Sequence, residues 1–304
     1  MVHIMRRTLY ACLNPRLRCQ ECAAKRGLSS LFPIAVVQRQ IGSCRRDMAK
    51  RIFAAALVAA SICSTWAHAD WDTGVSLEHY NWKEDVPESG HTLKEGGPRY
   101  AVHLNWTESG DKGFLFGYRG KIYFGQVNYD SYTQVTNTPV TTNTEYTGTA
   151  HEGQLFYRSD VGNYKLDYLG GLGWDYWRRA IGADVIEDYS ILYLRGGLNL
   201  ELSGRRTGFH CGGGLKYPFW TAEDSQLENQ GYYSNPIITP GKNISRFVEL
   251  GYRINDHFDV IGYYDSWRFK KSDIVTTTNA MGTWSVWQPK SSMDAVGLKG
   301  IYSF

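Results

Sequence analysis

Apolar and polar residues alternate along most of the chain after Trp71, in segments of about ten residues. The clearest segment places Tyr164, Leu166 and Tyr168 on one face, whereas Lys165 and Asp167 fall on the other. Alternation with a period of two is typical of β-strands whose two faces meet different surroundings. The pattern therefore predicts long strands, each with one apolar, aromatic face and one charged face.

The alternation predicts ten strands joined by connections of alternating length. The predicted strands cover approximately 71–82, 96–107, 113–129, 146–158, 163–178, 188–202, 207–220, 244–254, 257–269 and 292–304. Tight polar turns at 108–112, 159–162, 203–207 and 255–257 alternate with longer connections at 83–95, 130–145, 179–187, 221–243 and 270–291. Short turns at one end and long loops at the other are typical of bacterial membrane barrels.

The fold class predicted is all-β, a transmembrane antiparallel up-and-down β-barrel of about ten strands. In such a barrel the apolar face meets lipid and the polar face lines the lumen, and closure satisfies every backbone hydrogen-bonding group. Eight strands with two extended hairpins are an alternative. Trp71 and Trp106 are expected in an interfacial girdle at one rim, and Trp177, Trp220 and Trp267 in one at the other.

The stretch that begins at Met48 has the features of an export signal. Lys50 and Arg51 precede an apolar run from Ile52 to Ile62, and small residues follow at the spacing that signal peptidase reads. We predict a signal peptide over 48–69, cleaved between Ala69 and Asp70, and a barrel over 70–304. Residues 1–47 are interpreted as upstream sequence from a translation start placed too early.

Charge and cysteine content change once this leader is set aside. Residues 1–69 hold 11 of the 33 lysines and arginines but 2 of the 30 aspartates and glutamates, so residues 70–304 carry a formal charge of −6. This balance argues against nucleic-acid binding. Cys211 is the one cysteine after residue 69, which excludes an intramolecular disulfide there. We predict a monomer without cofactor or metal.

The chain ends in the sequence AVGLKGIYSF, in which Tyr302 and Phe304 close the last predicted strand. This ending resembles the membrane-insertion signal of bacterial outer-membrane β-barrels. The resemblance implies that Tyr302 and Phe304 are recognised by the barrel assembly machinery and that the protein resides among lipid and lipopolysaccharide in the outer membrane of a Gram-negative bacterium. One departure is Lys299, which stands where the family usually has a glycine.

Charged residues on the polar faces of the strands are the main candidates for chemistry. Ten strands enclose a narrow lumen, and buried charges need partners, so we expect an ion-paired network with little conductance. The predicted network comprises Arg119, Lys121, Glu152, Lys165, Asp167, Asp175, Arg195, Glu201, Lys216, Glu249 and Arg253. A narrow, porin-like channel for a specific small solute is the alternative reading of these charges.

The omptin proteases resemble this chain in size and strand count, and the resemblance implies acidic residues with an Asp-His pair at the outer rim. The fourth outer connection has Glu223, Asp224 and Glu228 but no histidine, and Asp256-His257 lies in a predicted periplasmic turn. We therefore predict no enzymatic activity. The outer connections are rich in Thr, Asn and aromatic residues, which favours a structural or adhesin-like role with an extracellular ligand.

Overall fold

The computed structural model describes residues 3–5, 69–86, 91–132, 138–182, 185–202 and 207–304. In this part of the chain, ten long strands form a closed antiparallel barrel, which confirms the predicted fold class. The strands are β1 (Ala69–Val86), β2 (His91–Glu108), β3 (Gly113–Tyr132), β4 (Pro139–Val161), β5 (Tyr164–Ile181), β6 (Val185–Leu202), β7 (Gly208–Asp224), β8 (Ser245–Arg253), β9 (Phe258–Lys270) and β10 (Lys290–Ser303). The predicted signal peptide and upstream segment lie outside the described residues, apart from 3–5.

Each strand pairs with its neighbours in sequence, and the barrel closes where β10 pairs with β1. This last pairing runs from Lys290 opposite Asp85 to Ser303 opposite Asp72. Because every long strand has a partner on both sides, the ladder leaves no open edge. The topology is therefore an up-and-down barrel.

The two faces of each strand separate as the alternation predicts. On β1, Val75 and Leu77 are 65% and 53% exposed on the outer wall, whereas Glu78 and Tyr80 are 1% and 0% exposed inside. Apolar side chains of this kind surround the barrel, and such a band faces hydrocarbon in membrane barrels. Among the described residues, no helix is long and apolar enough to cross a membrane.

The two long connections, 225–244 and 271–289, lie at the same end of the barrel, which we call the outer end, and we call the other end periplasmic. The predicted long connections at 83–95, 130–145 and 179–187 are wrong, since most of their residues belong to the strands. The connection between β7 and β8 holds a short 3-10 helix (Leu227–Gln230) and two-residue strands at Ile237–Ile238 and Gly241–Lys242. The connection between β9 and β10 forms a hairpin of Val275–Asn279 with Gly282–Trp287, against which the three-residue strand His3–Met5 pairs.

The strands continue further toward the outer end than the alternation of apolar residues indicates. Residues 83–86 and 179–181, predicted as loop, belong to β1 and β5, and β7 ends at Asp224. The prediction of a girdle position for Trp177 and Trp267 is wrong, since they are 1% and 0% exposed within the lumen. Trp220 is 45% exposed. Trp71 and Trp106 lie opposite each other near the periplasmic end.

Candidate functional site

The structure places all the predicted network residues on the inner wall of the barrel. Ten of them form ion pairs with other lumen or turn residues, and Asp175 accepts hydrogen bonds from uncharged donors. These side chains come from successive strands and meet one another, because all inward positions of a narrow closed sheet point toward the barrel axis. The lumen is therefore filled by side chains, and its charges fall into distinct layers.

The middle layer is centred on two shared carboxylates. Glu249 on β8 accepts hydrogen bonds from Arg119 at 2.6 Å and from Lys299 at 2.9 Å. Glu78 on β1 accepts hydrogen bonds from Arg99 at 2.5 Å and from Lys121 at 2.7 Å. Each carboxylate thus serves two cations, and hydrogen bonds to charged groups are among the stronger stabilising contacts.

Asp175 joins three walls of the barrel without a direct ion pair. Its two oxygens accept hydrogen bonds from the Tyr123 hydroxyl at 2.8 Å and from the Trp267 indole nitrogen at 3.0 Å. Lys216 lies 3.8 Å from the centre of the Trp267 ring and pairs with Asp265. These contacts explain why Trp267 lies in the lumen, since its indole N–H finds a partner there.

A second layer near the outer end surrounds Arg179 and was not predicted. Its guanidinium group lies 3.0 Å from Glu84, 2.6 Å from Glu95 and 2.7 Å from Glu187, and all four side chains are fully buried. Glu223 is also buried, at 0% exposed. The neighbours of these residues on the outer wall are polar. Their inward orientation could have been predicted by continuing the alternation of each strand toward the outer end.

Aromatic rings close the lumen around this outer layer. Trp82 packs against Trp177, Tyr189 and Phe269 at ring-centre distances of 6.4, 5.6 and 6.4 Å. Trp177 stacks on Tyr189 at 5.0 Å. Because β1, β5, β6 and β9 all contribute, the rings span the lumen from wall to wall and bury its centre.

Arg195 occupies a separate position, stacked on an aromatic ring. Its guanidinium carbon lies 3.5 Å from the centre of the Phe247 ring, and its nearest acidic oxygen is on Glu152 at 3.5 Å. The Phe247 ring in turn lies over Gly197 and Gly214, where an added Cβ would meet ring atoms at 2.8 Å. The two glycines therefore make the room in which Phe247 and Arg195 stack.

Ion pairs also line the periplasmic end. Arg158 donates two hydrogen bonds to Asp167, at 2.7 and 2.8 Å, and Arg253 pairs with Glu201. Lys165 reaches out of the barrel to Asp111 in the turn between β2 and β3, at 2.9 Å. This hydrogen bond lowers the pKa of Asp111. The predicted insertion residues Tyr302 and Phe304 lie at the same end, with ring centres 5.3 Å apart.

The described histidine side chains do not join the acidic residues of the outer end. His103 and His210 bond to Ser76 and Asp259 inside the barrel, whereas His151 contacts Tyr118 and Thr149. His257 lies in a periplasmic turn. Within the described part of the chain, no group of His, Cys, Asp or Glu is arranged to hold a metal ion.

No protein-family model matches the sequence, and no curated protein matches it. Similar solved structures include the outer membrane protease OmpT from Escherichia coli, at 12% identity over 78% of this chain and 97% of that chain, with a TM-score of 0.45. The transport unit of the autotransporter AIDA-I from Escherichia coli is 12% identical over 80% of this chain and 92% of that chain, with a TM-score of 0.39. The attachment invasion locus protein Ail of Yersinia pestis, in complex with sucrose octasulfate, is 10% identical over 78% of this chain and 99% of that chain, with a TM-score of 0.33. Similarity at this level assigns neither an activity nor a ligand to this chain.

Proposed function

We propose that this chain is a closed barrel of the bacterial outer membrane that binds a protein partner at the cell surface. The binding surface is formed by residues 225–244 and 271–289, which connect the last strands at the outer end. The observation that carries the proposal is that these two connections fold onto each other and still expose large apolar side chains.

The two connections form a small folded unit of their own. Leu227, Ile238 and Val286 are at most 1% exposed and form a hydrophobic cluster. Main-chain and side-chain hydrogen bonds join the connections, including Tyr233 N–H to the Thr278 carbonyl at 2.8 Å and the hydroxyls of Ser234 and Thr277 at 3.1 Å. A surface held in this way loses little conformational entropy when a partner binds.

Five large apolar side chains of the two connections are exposed, and one of them, Ile244, is 55% exposed where β8 begins. Tyr233 is 66% exposed, Ile237 53%, Ile274 60% and Met281 54%. Exposed apolar groups clustered on a folded surface mark interaction sites, and tyrosine and methionine are enriched in protein interfaces. A protein partner fits this surface because exposed apolar groups alternate there with neutral polar ones, and its few acidic and basic residues balance.

The closed lumen supports a surface role over transport. The Arg179 layer and the rings around Trp82 bury the centre of the barrel near its outer end. A solute passing through would have to break several buried ion pairs, which are costly to leave unpaired. Function is therefore sought at the outer surface.

A cell-attachment assay tests this proposal. Escherichia coli cells that carry the protein in their outer membrane are applied to surfaces coated with fibronectin or collagen, and the attached cells are counted. Cells with wild-type protein should attach more than cells without it, and the double variant Tyr233→Ala/Ile274→Ala should lose most of the gain. Tyr132→Ala, which removes a 39% exposed aromatic side chain at the end of β3, is the matched control. Attachment that survives the double variant, at equal surface expression, would argue against this surface.

A further inference from the structure

A polar cavity of about 90 Å³ lies inside the barrel. Four cationic side chains line it, from Arg119, Lys121, Arg195 and Lys299. A cavity needs roughly 10–15 Å³ on this measure to hold one water molecule, so this one has room for a small ligand. None of the residues that line it belongs to the binding surface at 225–244 and 271–289, so what the cavity binds is independent of the proposed function.

Positive charge exceeds negative charge around this cavity. Glu249 is shared by Arg119 and Lys299, and Glu78 is shared by Lys121 and Arg99. Among the residues that line the cavity, the three carboxylates of Glu152, Glu249 and Asp265 thus face four cations, an excess of one positive charge. Because unbalanced buried charge is costly, an additional anion would stabilise this arrangement.

Arg195 is the cation that protein groups satisfy least. Its side chain is 10% exposed, its Nε atom is buried without a hydrogen-bond acceptor, and its ion pair, with Glu152, is long at 3.5 Å. Arg195, Glu249 and Lys299 line the same cavity. A guanidinium group has five N–H donors in a planar fork, and the buried Nε–H of Arg195 costs free energy as long as it lacks an acceptor.

We propose that this cavity binds a small inorganic anion, held by Arg195, Arg119 and Lys299. A tetrahedral oxyanion such as phosphate matches the planar donor forks of two arginines, and the lysine adds a point charge. The Phe247 ring beneath Arg195 keeps the guanidinium plane in place, so the donors are oriented before the anion arrives.

Two further cavities lie between this one and the periplasmic end. A neighbouring cavity of about 170 Å³ shares Glu249 with it and is also lined by Lys165, Glu201 and His210. Glu201 and His210 also line a smaller cavity beside Thr207 and Arg253, at the turn between β6 and β7. The aromatic layer closes the lumen toward the outer end, so we expect an anion to enter from the periplasmic end.

Titration of inorganic phosphate into the full protein, purified in detergent and followed by calorimetry, tests the site. We expect saturable binding with one anion per barrel, competed by chloride. Arg195→Gln should weaken phosphate binding by about tenfold or more, because it removes charged hydrogen bonds to the anion. Phosphate should raise the denaturant midpoint of the wild type more than that of the variant, because the loss of the Phe247 stacking and of the Glu152 ion pair is the same with and without the anion.

Arg246→Gln serves as the control because it removes the same charge from an exposed position on the outer wall of β8. It should leave phosphate binding unchanged. Absence of saturable binding to the wild type would overturn the proposal. Equal binding by wild type and Arg195→Gln would also overturn it, as would destabilisation of Arg195→Gln to the same extent with and without phosphate, which would show a purely structural role.

Discussion

Arg119 and Glu249 lie on β3 and β8, five strands apart in a ring of ten, and their side chains meet across the lumen at 2.6 Å. The pair therefore joins opposite walls of the barrel. Lys299 reaches the same carboxylate from β10. Contacts of this kind fix the cross-section of the barrel, because the wall cannot flatten without separating buried charges.

The protein should not conduct ions in a planar bilayer. The outer aromatic layer closes the lumen independently of the middle layer, so Arg119→Ala and Glu249→Ala should be silent as well. Single-channel recording measures this, with a porin in the same bilayer as the positive control. Stable current through the wild type, altered by either substitution, would show instead that the charges line a conducting path.

Replacement of Arg179 should destabilise the barrel far more than replacement of its neighbour. Arg179→Met leaves Glu84, Glu95 and Glu187 buried without their shared cation, at a cost of about 3–5 kcal/mol. Arg178→Met removes an outward-facing side chain that is 50% exposed and pairs with Asp188, which should cost less than about 1 kcal/mol. Urea unfolding in lipid vesicles compares the two, and equal losses would refute the assignment of Arg179 as the centre of the outer layer.

Gly214→Ala should impair folding, whereas Gly170→Ala should not. An added Cβ at Gly214 would lie 2.1 Å from the Gly196 carbonyl oxygen and 2.6 Å from the Gly197 Cα, both of which are backbone atoms. Overpacking of this kind typically costs about 1–3 kcal/mol. At Gly170 nothing lies within 4 Å of the added Cβ. The shift in gel migration on heating, which reports the folded barrel, distinguishes the variants; similar midpoints would contradict the close approach.

Phe304→Ala should reduce the amount of protein assembled in the outer membrane while leaving the stability of the refolded barrel nearly unchanged. Phe304 is 75% exposed, so little packing is lost with its ring. Phe258→Ala removes another exposed aromatic ring at the same rim, 5.2 Å from Tyr302, and is the control. The amount of each variant in the outer-membrane fraction measures assembly, and its refolding yield in detergent measures folding without the assembly machinery. Equal assembly of both variants would contradict a role of Phe304 in insertion.

The barrel and the inward orientation of the network residues could be predicted because side chains alternate strictly between the two faces of a strand. Once β3 and β8 are assigned from their apolar positions, Arg119 and Glu249 must point inward. The pairing of Arg119 with Glu249 across the lumen was not predictable, since it depends on the position of each strand around the ring.

The outer layer was missed for a different physical reason. Above the membrane the outer wall faces water, so outward residues such as Lys83 and Asp85 become polar and the apolar alternation ends. The inward residues Trp82 and Glu84 still follow the strand period, but a boundary drawn from hydrophobicity alone stops short of them. The girdle position predicted for Trp177 is wrong for a related reason. Trp177 lies near the end of its predicted strand, but its side chain points into the lumen.

The seam between β1 and β10 has a consequence for the kinetics of folding. It joins Asp72 to Ser303, so β1 and β10 each have one unpaired edge until they pair with each other. Contacts so distant in sequence form slowly, and exposed strand edges promote aggregation meanwhile. We therefore expect the closing of this one ladder to be a slow step in assembly, during which the open edges of the sheet need protection from other chains.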